Sequence, residues 1–340
     1  HRAHLSDALI AAAQMRAAQL VGPKQFSFTD VPTPTVGQGN VLVEIERWSI
    51  CGSDIRNLYG AVLPEHGYPA PIGNPGHEIA GRIVESRSDR WDVGQRVIAL
   101  PHGRDDALVE HYEVLPNRMI AIPDEGDPGD WLMCQPSGTV LYACQQLGTL
   151  LGKSVLILGQ GPIGLSFTAI FARSGARKVI GADLLDYRLD FARRFGATHT
   201  LNPMDVPIHD AVSETLEGEL PDLVVEAAGY PDTLQLGLDL VSEFGTLVMF
   251  GLQQRTSDEN PVPRLRIERF RRSNATLLAT ASGHMADPTG HIERMVELKQ
   301  RGWWDPSTMI THRSTFENIQ DAYDLYDSRK DGIVKVVIHP

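Results

Sequence analysis

Cys51, in the run Cys51-Gly52-Ser53-Asp54, and His77, in Gly76-His77-Glu78, bring together a thiolate, an imidazole and an adjacent carboxylate. These donor types suit zinc, and a catalytic zinc takes three protein ligands while its fourth position stays open to water or substrate. Cys51 and His77 are therefore candidate ligands, with Glu78 beside them and a third constant ligand still to be found.

A second group of residues points to a nucleotide. Gly159-Gln160-Gly161-Pro162-Ile163-Gly164 directly follows the apolar run Val155 to Leu158 and opens a helical segment. In that context the glycines form the tight turn and let the backbone approach a pyrophosphate, while the helix N-terminus supplies amides and a positive dipole end. Asp183 stands nineteen residues beyond Gly164, at the end of the next strand. A carboxylate there accepts hydrogen bonds from ribose hydroxyls and favours NAD over NADP, whose phosphate it would repel. Arg188, close by in sequence, leaves room for some tolerance of NADP. Phe250, Gly251 and Leu252 complete the expected cofactor-binding set.

Two kinds of scaffold must hold these groups. From about 15 to 125 the chain reads as short β runs broken by Gly and Pro, at 41–45, 79–84, 95–99 and 109–114, which predicts an irregular, barrel-like β domain. Near Leu150 the rhythm changes to strands at 154–158, 178–182, 222–226, 245–250 and 275–279. Helices are expected at 162–173, 187–195, 232–241 and 289–301, giving βαβ units on a doubly wound parallel sheet. A helix at 318–327 and a strand at 333–338 are expected to return to the first domain. Residues 1–14 read as a leader, an added extension or a short extra helix, outside the fold.

Length and composition agree. A chain of 340 residues with 42% hydrophobic residues exceeds what one core serves well, so two domains are expected. A formal net charge of -12 argues against nucleic-acid binding, and the basic stretch Arg264 to Arg272 reads as a solvated helix face. Three cysteines, Cys51, Cys134 and Cys144, make no disulfide framework and fit a reducing, cytoplasmic setting. No long apolar stretch predicts a membrane span.

Taken in order, Cys51-Gly52-Ser53-Asp54, Gly76-His77-Glu78 and Gly159 to Gly164 resemble the zinc-containing medium-chain dehydrogenases, nearest the sorbitol and threonine dehydrogenase branch. The resemblance spans about residues 15 to 340. It implies an α/β protein with a GroES-like catalytic domain (15–145, completed by 303–340), a Rossmann domain (146–302), an active site between them, and a homodimer or homotetramer. In such enzymes zinc holds the substrate hydroxyl and eases its ionisation, and hydride passes to the nicotinamide. Ser53 matches the hydroxyl that takes the alcohol proton.

Three departures qualify the resemblance. The third ligand is expected in Leu132 to Ser137, where the branch usually carries Glu and this chain has Gln135. A neutral amide binds zinc more weakly than a carboxylate, while a site of Zn²⁺ with Cys51, His77, Glu78 and Gln135 is about neutral and a stronger Lewis acid. Three possibilities stay open: Gln135 ligates, water or Glu78 completes the site, or zinc is absent or partly loaded. Cys134 next to it reads as a small buried hydrophobe. Second, Arg56 replaces the histidine that usually relays the proton outward, and arginine cannot act as a base. It is either an anion contact or a surface partner of a residue such as Glu65. Third, the four-cysteine lobe of many relatives is missing, so no structural zinc is expected.

His66, His102, His111, His284 and His312 lack metal-ligand spacing and read as packed or solvated, as Trp303-Trp304 reads as packing. Tyr59 and His66 are candidates for lining the substrate pocket. The competing functional readings are a zinc-independent reductase of an activated alkene or carbonyl and a catalytically silent nucleotide-binding relative.

Overall fold

The computed structural model describes residues 13–61, 65–102, 105–253, 264–280 and 287–340. The expectation for residues 1–14 lies almost wholly outside them, as does His284; the first strand, β1 (Gln14–Gly22), begins beside that segment and pairs antiparallel with β2 (Gln25–Pro32).

A larger sheet follows, built from β3 (Val41–Ser49), β4 (Glu78–Ser86), β5 (Arg96–Ala99), β6 (His111–Val114) and β7 (Met119–Ala121). Between β3 and β4 the chain makes α1 (Gly52–Asp54) and a π-helical turn, Ile55–Tyr59. The centre of the sheet is β3, flanked by β4 and β6, and its alternating Val41, Val43 and Ile45 are almost completely buried. Burying an aliphatic side chain of this kind stabilises the fold by about 1.5–3 kcal/mol. Short helices α2 (Pro128–Leu132) and α3 (Cys134–Gln145) lead out of this region. α3 was not foreseen; its Val140, Leu141 and Ala143 join the core that also contains Val155, Ile157 and Phe167.

The second sheet is parallel: β8 (Ser154–Leu158), β9 (Lys178–Ala182), β10 (His199–Leu201), β11 (Leu223–Glu226), β12 (Thr246–Met249) and β13 (Thr276–Ala279), in the spatial order β10-β9-β8-β11-β12-β13. Its connecting helices are α4 (Pro162–Arg173), α5 (Asp186–Phe195), α6 (Ile208–Thr215), α7 (Pro231–Leu240), α8 (Glu268–Arg272) and α9 (Gly290–Gln300). The order reverses between β8 and β11, so the crevice outside their carboxyl ends is the place where such sheets bind ligands. β8 forms because Val155, Leu156 and Ile157 are buried on both faces, as strands of a covered parallel sheet must be.

The chain ends with β14 (Ile310–Thr315), α10 (Ile319–Ser328) and β15 (Lys335–His339). β15 pairs antiparallel with β3 at Val337 and Ile338, so the C-terminal segment lies in the first sheet. Trp304 packs edge-on against Phe195, a packing role as expected.

Candidate active site

Cys51 caps the start of α1, and the carboxylate of Asp54 accepts a hydrogen bond from the Cys51 amide at 2.9 Å. That turn faces the beginning of β4, where His77 and Glu78 emerge. Ligand atoms of Cys51, His77 and Glu78 all lie within 4.8 Å of one another, the one such group of three His, Cys, Asp or Glu residues among the described residues.

The surroundings prepare these donors. His77 Nδ1 lies 2.9 Å from Asp54 Oδ1, a contact that would keep a proton on Nδ1 when a metal displaces the one on Nε2. Ser53 Oγ stands 3.5 Å from that Nε2. Burial by itself lowers the imidazole pKa of His77, but the charges of Asp54 and Cys51 outweigh it and raise it well above the ordinary value. Glu78 is 1% exposed and ion-paired at 2.5 Å with Lys335 Nζ, which is equally buried and also donates to the Ile50 carbonyl. Burial lowers the lysine pKa, yet the Glu78 charge dominates and the ammonium is held above its ordinary value.

Asp54 and Lys335 were missed by the sequence reading. Asp54 sits inside the quoted motif, three residues from Cys51, and was legible as a cap; Lys335 gave no local signal. Their opposite charges offset, so a metal with Cys51, His77, Glu78 and a neutral fourth donor is still near electrical balance.

Gln135 is the second residue of α3 and is buried, and its Oε1 makes no hydrogen bond in the structure. A buried amide oxygen without a partner costs free energy unless something else satisfies it, so this atom fits a metal donor. Cys134 is fully buried in the apolar core, where burial pushes its thiol up to about 12, as suits a structural hydrophobe. Tyr59, expected near the substrate, belongs instead to the core of the first domain: it is 1% exposed, stacked on Phe26, and its hydroxyl donates to Asp324. His66 is exposed on a short turn.

Arg56 also departs from expectation. It reaches across to the other domain, donating to the carbonyls of Ala228 at 2.7 Å and Gly229 at 3.2 Å, and stands over the Tyr230 ring at 4.8 Å. No described carboxylate pairs with it, and the Glu65 side chain lies outside those described. Arg329 grips the same tyrosine, donating to its hydroxyl at 3.0 Å.

On the nucleotide side, Gly159 has φ +95°, and a Cβ on Gly164 would stand 1.8 Å from the Gly159 carbonyl. Only glycine allows that turn to lie against α4, whose first turn contains Pro162 and Ile163 with Gly161 as its cap. Asp183, just past β9, accepts from the Gln160 amide at 2.7 Å and the Leu185 amide at 3.0 Å, with Arg188 3.7 Å away. At the end of β11, buried Glu226 accepts from the Ala228 and Gly229 amides and the Thr233 hydroxyl, a shaping role the sequence reading did not assign. A cleft of about 530 Å³ opens there, lined by Gly229, Tyr230, Phe250, Gly251, Leu252 and Ala279. A cleft of about 610 Å³ elsewhere is lined by Glu46, Arg47, Arg96 and Asp127, charges that pair with one another.

Known proteins match both halves. Residues 37–118 match the alcohol dehydrogenase GroES-like domain, and residues 162–298 match the zinc-binding dehydrogenase domain. The chain belongs to the zinc-containing medium-chain alcohol dehydrogenase superfamily. Among relatives, an alcohol dehydrogenase of Cupriavidus necator is 27% identical over 96% of this chain and 99% of its own. L-threonine 3-dehydrogenase of Streptomyces coelicolor is 28% identical over 90% and 94%. The fold is that of an alcohol dehydrogenase from Escherichia coli CFT073 complexed with NADH, at TM-score 0.82 and 21% identity, covering 97% of this chain and 100% of that one. A GroES-like domain joined to a Rossmann domain is thus the architecture, as the motifs implied. No helix among the described residues is long and apolar enough to cross a membrane.

Proposed function

We propose that the chain is an NAD(H)-dependent zinc oxidoreductase that interconverts a secondary alcohol, of the polyol, sugar, hydroxy-acid or amino-alcohol kind, and its carbonyl compound. The observation that carries this reading is the convergence of Cys51, His77 and Glu78, in a chain that also carries the glycine turn. Zinc there would act as a Lewis acid on the alcohol oxygen, and the nicotinamide would accept the hydride.

The chain's own residues do the rest. Cys51, His77 and the orphaned Gln135 oxygen would hold the metal, with Glu78 as ligand or as a carboxylate poised beside it, restrained by Lys335. Ser53, whose hydroxyl lies 3.5 Å from His77 Nε2, would take the alcohol proton. Gly159, Gly161, Pro162, Ile163 and Gly164 would cradle the pyrophosphate, Asp183 and Arg188 would meet the adenosine ribose, and Phe250 to Leu252 would wall the nicotinamide side. Arg56 positions the two domains against each other and is not a proton carrier. The reading also includes one catalytic zinc, a cytoplasmic setting consistent with free thiols, and a homo-oligomer.

The Lys335–Glu78 pair favours a second reading, a zinc-independent reductase, because it satisfies the carboxylate with no metal present. One experiment separates the two. Metal content and NADH absorbance are followed with a panel of polyols, hydroxy acids and amino alcohols, for wild type and Cys51→Ala. Loss of zinc and of activity together supports the zinc enzyme; full activity in zinc-free Cys51→Ala protein overturns it.

A further inference from the structure

Tyr323, in α10, is completely buried, with its ring edge-on to Phe26 and tilted against Tyr59. That apolar packing would be served by a phenylalanine. A hydroxyl taken out of water costs free energy unless it is bonded, and this one donates to the Pro75 carbonyl at 2.7 Å, with Asp54 Oδ2 as a second acceptor at 3.5 Å. Pro75 is two residues before His77. Asp54 holds the Cys51 amide at 2.9 Å and lies 2.9 Å from His77 Nδ1. One hydroxyl, carried by an element 269 residues away in sequence, therefore touches both the backbone leading into His77 and the carboxylate that orients Cys51 and His77.

We propose that Tyr323 is a positioning residue for the metal centre: its hydroxyl fixes the Pro75 to His77 backbone and the Asp54 carboxylate so that Cys51 Sγ and His77 Nε2 converge. The proposal rests on the zinc reading above. Groups that orient metal ligands typically change metal affinity by about 10- to 100-fold when removed.

The test compares Tyr323→Phe with Tyr59→Phe, a neighbouring ring whose hydroxyl donates instead to Asp324. Zinc dissociation constants are measured by competition with a chromophoric chelator, and melting temperatures with and without zinc. Tyr323→Phe is expected to weaken zinc by about tenfold or more and to shrink the stabilisation that zinc confers, while Tyr59→Phe keeps wild-type affinity. Unchanged zinc affinity in Tyr323→Phe, with equal losses of melting temperature in the zinc-free and zinc-loaded forms, assigns the hydroxyl to the fold alone and overturns the proposal. Should Tyr323→Phe not fold, 3-fluorotyrosine at position 323 keeps the hydroxyl. Its fluorine resonance is expected to move on zinc addition, and an unmoved resonance is the overturning result. Wild-type protein that takes up no zinc overturns the metal reading itself and this role with it.

Discussion

Glu78 and Lys335 are both 1% exposed and separated by 257 residues in sequence. Removing one member of such a pair strands a buried charge, a loss of about 3–5 kcal/mol, whereas replacing both by apolar groups is often neutral. Lys335→Met is therefore expected to be severely destabilised in chemical denaturation, and Lys335→Met with Glu78→Leu to recover most of the loss; additive losses in the double variant would show the two side chains act independently. Gln135, the proposed third metal donor, carries the opposite lesson: its buried side chain is uncharged, where a carboxylate would bind metal better. Gln135→Glu is expected to tighten zinc by about 10-fold or more and to lower kcat, because the extra negative charge weakens the Lewis acid; chelator competition and steady-state rates check both. Cys51, His77 and Glu78 were legible because a ligand type and a short spacing are local facts. Lys335 was not, since only the pairing of β15 with β3 brings it near.

At the scale of elements, the glycine turn and α4 show what a local pattern can and cannot reveal. β8, β9 and α4 were read with their observed bounds, because a doubly buried strand is a continuous aliphatic run and a Pro one residue past Gly161 marks a helix start. α3 and α6 were not read. α3 carries polar Gln135 and Ser137 that are nonetheless buried, in a helix packed against α4 and α9, so its apolar periodicity is blurred. A Cβ at Gly164 would collide with the Gly159 carbonyl at 1.8 Å. Gly164→Ala is accordingly expected to abolish measurable NADH binding, seen by fluorescence, while zinc content stays at the wild-type level; NADH binding at wild-type affinity would remove the turn from the cofactor site.

For the whole molecule the question is what sets the two domains against each other across the cleft. The chain carries a net charge of -12, unfavourable for an anionic dinucleotide, yet Arg56 and Arg329 both contact Tyr230, which lines the cleft, and Arg188 stands 3.7 Å from Asp183. The sequence identified Arg56 as a lost proton relay; the fold turns it into a bridge, because the π-helical turn after Asp54 aims it at the Ala228 and Gly229 carbonyls beyond β11. Tyr187 adds a second tie, donating to the Ile333 carbonyl at 3.0 Å. Hydrogen bonds from a charged donor are worth about 1.5–3 kcal/mol each, so losing the Arg56 pair should shift the equilibrium towards an open cleft by about tenfold or more. Arg56→Leu, which keeps a stem over Tyr230, is expected to raise the KM for NAD and enlarge the radius of gyration by small-angle scattering, with zinc content unchanged. If instead kcat alone fell, its pH profile shifted and the radius stayed constant, Arg56 would belong to the proton path after all, and the bridge would be incidental.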